Sequence, residues 1–133
     1  MPPKQQKEIV YPINSEEHFL QIANPENKKL SIIDLHASWC GPCQVMYQNY
    51  RTIYFNYEQA DNRIEFWTCD TTFIPADLQK KYITNPTSCK PKLLIYLEGE
   101  IKGDIDGADI SKIENLVTKY IPALDEWWVK IHD

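Results

Sequence analysis

Four cysteines, Cys40, Cys43, Cys69 and Cys89, are the side chains of this 133-residue chain best suited to covalent chemistry, and only Gly41 and Pro42 separate the first two. A Cys-x-x-Cys pair can exchange disulfides. One thiolate attacks a substrate sulfur, and the second attacks the resulting mixed disulfide to release the product. The spacing here coincides with the end of an apolar run and the start of a long helical pattern. A helix N-terminus offers partial positive charge and free N–H groups, which lower a thiol from about 8.5 towards about 7. Cys40 is therefore expected to be the attacking nucleophile and Cys43, one turn deeper, the resolving thiol. Gly41 lets the turn close, and Pro42 suits a first helical turn because its missing N–H costs nothing there.

Three other uses of the pair compete with exchange. A zinc site needs four ligands, and neither Cys69 nor Cys89 supplies a second Cys-x-x-Cys, so no metal is expected. A purely structural disulfide conflicts with a reducing compartment. An intact but silent motif, in a domain retained for binding, stays open.

The elements that must position these residues follow from the rest of the chain. Hydrophobic residues at 43% and aromatics at 12% place it among folded globular chains, and its length suits a single domain. Fourteen basic against nineteen acidic residues give net −5, the wrong sign for binding a phosphate backbone, so no nucleic-acid partner is expected. No run of 18 or more apolar residues occurs, and the first seven residues lack an apolar signal region; no membrane association is expected, and the setting is read as cytoplasmic.

Residues 1–8 read as a flexible arm, 9–121 as the folded domain and 122–133 as an amphipathic extension. Ile9 to Ile13 reads as a strand whose Pro12 favours a sheet edge. Asn14 is expected to cap a first helix, with Glu17 completing a capping box, and the helix should stop by Asn24 before Pro25. Leu30 to Leu35 reads as a buried central strand interrupted by one acid, Asp34. From Cys43 to Ala60 the chain has no proline or glycine, and Met46, Tyr47, Tyr50, Ile53, Tyr54 and Tyr57 recur at spacings of three and four, predicting one long helix. Arg63 to Cys69 reads as a strand and Pro75 to Tyr82 as a short helix. Lys92 to Leu97 and Glu100 to Ile105, joined at Glu98-Gly99, form a hairpin pattern, and Asp109 to Tyr120 closes with a helix. The order β-α-β-α-β-α-β-β-α implies an α/β fold with a mixed five-stranded sheet. Leu124, Trp127, Trp128 and Ile131 fall on one stripe of a short C-terminal helix. Trp127 and Trp128 there either pack on the domain or anchor a partner.

The segment Asp34-Leu35-His36-Ala37-Ser38-Trp39-Cys40-Gly41-Pro42-Cys43 resembles the active site of the thioredoxin family, and the order of elements agrees over about residues 9 to 121. The resemblance implies the thioredoxin fold and a thiol-disulfide oxidoreductase site with no cofactor. It implies that Asp34 is the buried acid that takes and returns the Cys43 proton, with Trp39, Gly41 and Pro42 forming the docking surface. Pro91 corresponds to the cis-proline facing the disulfide, and Gly107 to the glycine that lets a partner approach. Asp70 matches a structural acid.

Two departures stand out. Phe66 occupies the place of the family's lysine near the buried acid, which removes a positive charge. Lys90, before Pro91, is charged where the family carries an apolar side chain, and would favour acidic partners. Cys89 lies near the same rim, as an accessory regulatory thiol or an inert cysteine; Cys69, flanked by Phe66 and Trp67, reads as core.

The stretch from Cys89 to Asp109 is similar to the thioredoxin-like light chains of axonemal outer-arm dynein and to thioredoxin domains fused to nucleoside diphosphate kinase in cilia. That similarity implies a redox-sensitive adaptor in the cilium or flagellum axoneme, with a dynein heavy chain or other axonemal subunits as partners. The alternatives are a free cytosolic thioredoxin acting on disulfide-containing proteins and recycled by a thioredoxin reductase, and a binding module with a silent motif.

Overall fold

The strand Leu30–His36 (β2) organises the fold in a computed structural model that describes residues 8–41, 44–84 and 90–124. Its first six residues are all buried, as expected for a run of apolar residues covered on both faces. Four strands assemble around it: Val10–Pro12 (β1), Ile64–Asp70 (β3), Lys92–Leu97 (β4) and Glu100–Asp106 (β5), in the order β1-β3-β2-β4-β5. The pairs β1 with β3 and β2 with β3 are parallel, whereas β2 with β4 and β4 with β5 are antiparallel. This is the expected mixed five-stranded sheet, with Pro12 on the edge strand, where its missing donor costs least.

Helices cover both faces. On one side Met46, Tyr50, Ile53 and Tyr54, from the 3-10 turn Gln44–Met46 and the helix Tyr47–Phe55 (α2), pack with Ile113 and Val117 of the closing helix Ile110–Tyr120 (α5) against Ile32, Phe66 and Leu93. On the other side Phe19 and Ile22 of Glu16–Ile22 (α1), with Leu78 and Tyr82 of Ala76–Tyr82 (α4), pack against Ile33, Leu35 and Leu94. Side chains along a strand alternate between faces, which puts Asp34 on the same side as Ile32 and below α2.

Three local expectations are corrected. Ser15, not Asn14, caps α1: its Oγ accepts the His18 N–H at 3.0 Å, while His18 Nδ1 accepts the Asn14 N–H at 3.1 Å, so histidine takes the reciprocal place expected of Glu17. The long helix expected to run to Ala60 ends at Phe55, and a separate short helix, Ala60–Arg63 (α3), follows. Tertiary partners favour the break: Arg63 donates to the Glu58 and Pro122 carbonyls, both at 2.8 Å, and the Tyr57 hydroxyl lies 3.3 Å from Thr118 Oγ1. Between the two helices Gln59 adopts φ 52°. The hairpin turn is as expected, with Glu98 at φ 52° and Gly99 at φ 80°.

Candidate dithiol site

Asp34 is 3% exposed, in the middle of β2, with Thr68 of β3 beside it on one flank and Leu93 of β4 on the other. Burial in this apolar setting pushes its carboxyl from 3.8 up to about 6. One group acts the other way: the Tyr50 hydroxyl of α2 donates to Asp34 Oδ2 at 2.9 Å. Tyr50 is itself buried, and its ring stacks on Phe66 with centroids 5.0 Å apart. In the helical pattern Tyr50 is simply one apolar position of a stripe. The signal it carries is chemical: a buried tyrosine needs a partner for its hydroxyl, and Asp34 is the one acid in the facing strand.

Past β2 the chain turns tightly. Both the Cys40 and Gly41 N–H groups point to the Ala37 carbonyl, at 3.1 and 3.0 Å. Gly41 sits at φ +72°, a conformation costly for any residue with a Cβ, which is the physical reason for glycine inside the motif. Cys40 is half-buried and disulfide-bonded, and Trp39 beside it is 64% exposed.

The turn is tied down from below. Ser38 Oγ donates to Asp70 Oδ1 at 2.7 Å, and the same oxygen accepts from the Thr72 N–H and hydroxyl at 2.9 Å. Burial raises the Asp70 carboxyl, but these bonds and nearby His36 outweigh it and hold the group below its ordinary value. Burial lowers His36, opposed by Asp70, and its Nδ1 lies 3.1 Å from Thr68 Oγ1.

A cleft of ≈ 420 Å3 opens beside the turn, with His36, Trp39, Thr72, Tyr82, Lys90 and Pro91 among its walls. Trp39, Lys90 and Pro91, three of the expected docking residues, therefore share one surface. A fourth joins them through the backbone: the Gly107 N–H donates to the Pro91 carbonyl at 2.8 Å. One expectation about Pro91 is corrected. No peptide bond among the described residues is cis, so the Lys90–Pro91 bond is trans, the form favoured for an X–Pro bond by about 0.5–1 kcal/mol.

Cys69 is fully buried and free, and burial followed by the Asp70 charge pushes its thiol up to about 12. It carries no thiolate near neutral pH, in keeping with a core cysteine. Pro42, Cys43, Cys89, Trp127 and Trp128, with residues 1–7 of the expected arm and 125–133 of the expected C-terminal helix, lie outside the described residues. Among the described residues no group of three or more His, Cys, Asp or Glu side chains could hold a metal, and no helix is long and apolar enough to cross a membrane.

A buried acid in the central strand, a disulfide-bonded cysteine in the turn that follows that strand and a sheet of this topology define a thioredoxin-type scaffold. The chain belongs to the thioredoxin family, whose model matches residues 9–119. Mouse thioredoxin is 28% identical over 108 residues, covering 81% of this chain and 95% of that protein. The flagellar outer-arm dynein 14 kDa light chain of Chlamydomonas reinhardtii is 24% identical over 90 residues, covering 68% of this chain and 64% of that one. Among solved structures, a thioredoxin from Nicotiana alata superposes with TM-score 0.65 at 19% identity, covering 91% of this chain and all of that one.

Proposed function

We propose that this thioredoxin-like protein carries out dithiol-disulfide exchange through Cys40 and Cys43 and serves as a redox-sensitive subunit of an axonemal outer-arm dynein. The observation that carries the exchange reading is the Asp34 carboxyl, buried in β2, the strand that leads into a disulfide-bonded Cys40 flanked by an exposed tryptophan. Burying an acid in a core is costly, so an acid kept there points to a task, and a carboxyl titrating near pH 6 can both take and return a proton close to neutrality.

In the proposed reaction the Cys40 thiolate attacks a substrate disulfide, forming a mixed disulfide and releasing one substrate thiolate. Cys43 gives its proton to Asp34 and attacks Cys40 Sγ, breaking the bond to substrate. Two electrons pass to the substrate, and the Cys40–Cys43 disulfide must be reduced again by a dithiol or a thioredoxin reductase. Trp39, Gly41, Pro42, Lys90, Pro91 and Gly107 form the docking surface, where the lysine favours acidic segments of a protein partner.

The likeness to the flagellar dynein light chain supports the adaptor reading. A free cytosolic disulfide reductase is the second reading, supported by the near-complete coverage of mouse thioredoxin. A pull-down with Cys43→Ser, which cannot resolve its mixed disulfide, run beside the wild type separates them. Dynein chains held by both proteins support the subunit; many small cytosolic proteins trapped by the mutant alone, with no dynein chain, support the free reductase. If the reduced protein turns over no disulfide reporter and Cys40 alkylates no faster than a model thiol, the exchange reading is wrong.

A further inference from the structure

The sequence departs from its family where a lysine would neighbour the buried acid, and Phe66 stands there instead. The structure shows what this phenylalanine touches. Phe66 stacks on Tyr50 at 24° between ring planes, and Tyr50 in turn directs its hydroxyl onto Asp34 Oδ2 at 2.9 Å, with all three residues 3% exposed or less. The seat is made on α2 and β3, and the acid it serves on β2. We propose that Tyr50 is a positioning residue for Asp34: seated on Phe66, its hydroxyl holds the carboxylate and takes over the role of a cationic neighbour in governing how readily the acid gives up and regains its proton.

The physical basis is asymmetric hydrogen bonding. A phenol donates to a carboxylate more strongly than to a neutral acid, so the bond favours the charged form and offsets part of the burial cost. It does so without a buried ammonium that would itself need a partner.

The surroundings leave Tyr50 as the group to test. From β3, Asp34 meets Thr68 and, one pair along, Phe66; from β4 it meets Leu93; none of these is charged. On its own strand His36 is two residues away, but its ring nitrogen engages Thr68 and its charge is coupled to Asp70. Cys40 does not titrate while it is disulfide-bonded, so the carboxyl titration is read on the oxidised protein.

The inference deepens the exchange reading and rests on it for its catalytic consequence. In the resolving step a Cys43 proton passes to Asp34 as the Cys43–Cys40 bond forms and the Cys40–substrate bond breaks, and the departing sulfur keeps the electron pair. Weakening the Tyr50 bond makes Asp34 hold its proton to higher pH, so fewer molecules have the base ready.

The test uses the full chain with carboxyl-labelled aspartate, the Asp34 signal being assigned by its loss in Asp34→Asn. Carboxyl titration and the pH profile of disulfide reduction are measured on wild type and Tyr50→Phe, which keeps the ring and its stack. The Asp34 midpoint should rise by about half a pH unit or more, with a roughly threefold loss of base at a pH below the midpoint, and the reduction profile should move the same way. Phe66→Leu, which keeps the hydroxyl but loosens its seat, should give a smaller rise and covers the case in which Tyr50→Phe does not fold. An unmoved midpoint in a folded variant, or a raised midpoint with an unmoved profile, overturns the proposal. Wild-type protein that reduces no disulfide at any pH overturns the exchange reading instead, and the titration still decides whether Tyr50 governs the acid.

Discussion

The Tyr50 and Phe66 rings lie face to face, 5.0 Å between centroids and 24° from parallel, both buried in the core. The stack joins helix α2 to strand β3 on the face of the sheet that holds Asp34. Replacing Phe66 by leucine keeps an apolar side chain there but removes the aromatic partner. Such a pair contributes about 0.5–1.5 kcal/mol beyond its buried area, so Phe66→Leu should be destabilised by about 1–2 kcal/mol in denaturant unfolding. A midpoint equal to that of the wild type would show that the stack contributes nothing.

Asp34 makes stability depend on pH in a defined direction. Its carboxyl is raised in the folded protein to about 6 from 3.8, so the folded state binds the proton more tightly than the unfolded chain does. The stabilisation is fully present below the unfolded value and is lost as pH rises through the folded one. A rise of this size corresponds to roughly 3 kcal/mol of stability lost between about pH 4 and pH 7. Asp34→Asn removes this dependence. Urea unfolding across that range should find the mutant more stable than wild type at neutral pH, with the difference shrinking towards pH 4; a parallel pair of curves would contradict it.

Lys92 bridges two acids on β5, with its Nζ 2.7 Å from Asp104 and 2.9 Å from Asp106, and the two ion pairs raise its own pKa despite partial burial. Lys92→Met leaves those carboxylates facing each other without a cation. A loss of about 1 kcal/mol is expected at neutral pH, where both are charged, and little loss at acid pH, where they are protonated. Equal losses at both pH values would attribute the effect to packing.

Gly107 combines φ +78° with open space around the position of a Cβ. Gly107→Ala therefore meets no steric obstacle, and its cost is that of the left-handed backbone, about 1–2 kcal/mol. The substitution also strains the bond from the Gly107 N–H to Pro91, so a disulfide-bonded peptide substrate should bind more weakly. Calorimetric unfolding and peptide titration check the two effects separately; full stability would mean that the backbone relaxes out of this conformation.

Much of the fold is legible in local pattern because local physics decides it. The continuous apolar run of β2, the alternating charges of β5 and the Ile110, Ile113, Val117 stripe of α5 each allow one arrangement that buries the right faces. The end of α2 is not legible in this way. Nothing in residues 43–60 breaks a helix, and the break at Asn56 arises where Arg63, Tyr57 and Thr118, distant or on another element, offer better partners to side chains and carbonyls. The cap at Ser15 escapes local pattern for a related reason: choosing between adjacent polar residues turns on which side chain reaches the His18 N–H.

The candidate site divides along the same line. The sequence alone determined the motif from Trp39 to Cys43, the acid at Asp34 and the thioredoxin family that unites them, because residue type and spacing define the chemistry available. By resemblance it also set Phe66 at the place where the family carries a cation. Only the tertiary structure decided what stands in for that cation. Tyr50 and Asp34 are sixteen residues apart and on different elements, and only the packing of α2 across β2 and β3 brings a phenol within 2.9 Å of the carboxylate. Burial raises an acid wherever it occurs; which neighbour restrains it depends on geometry that no local pattern encodes.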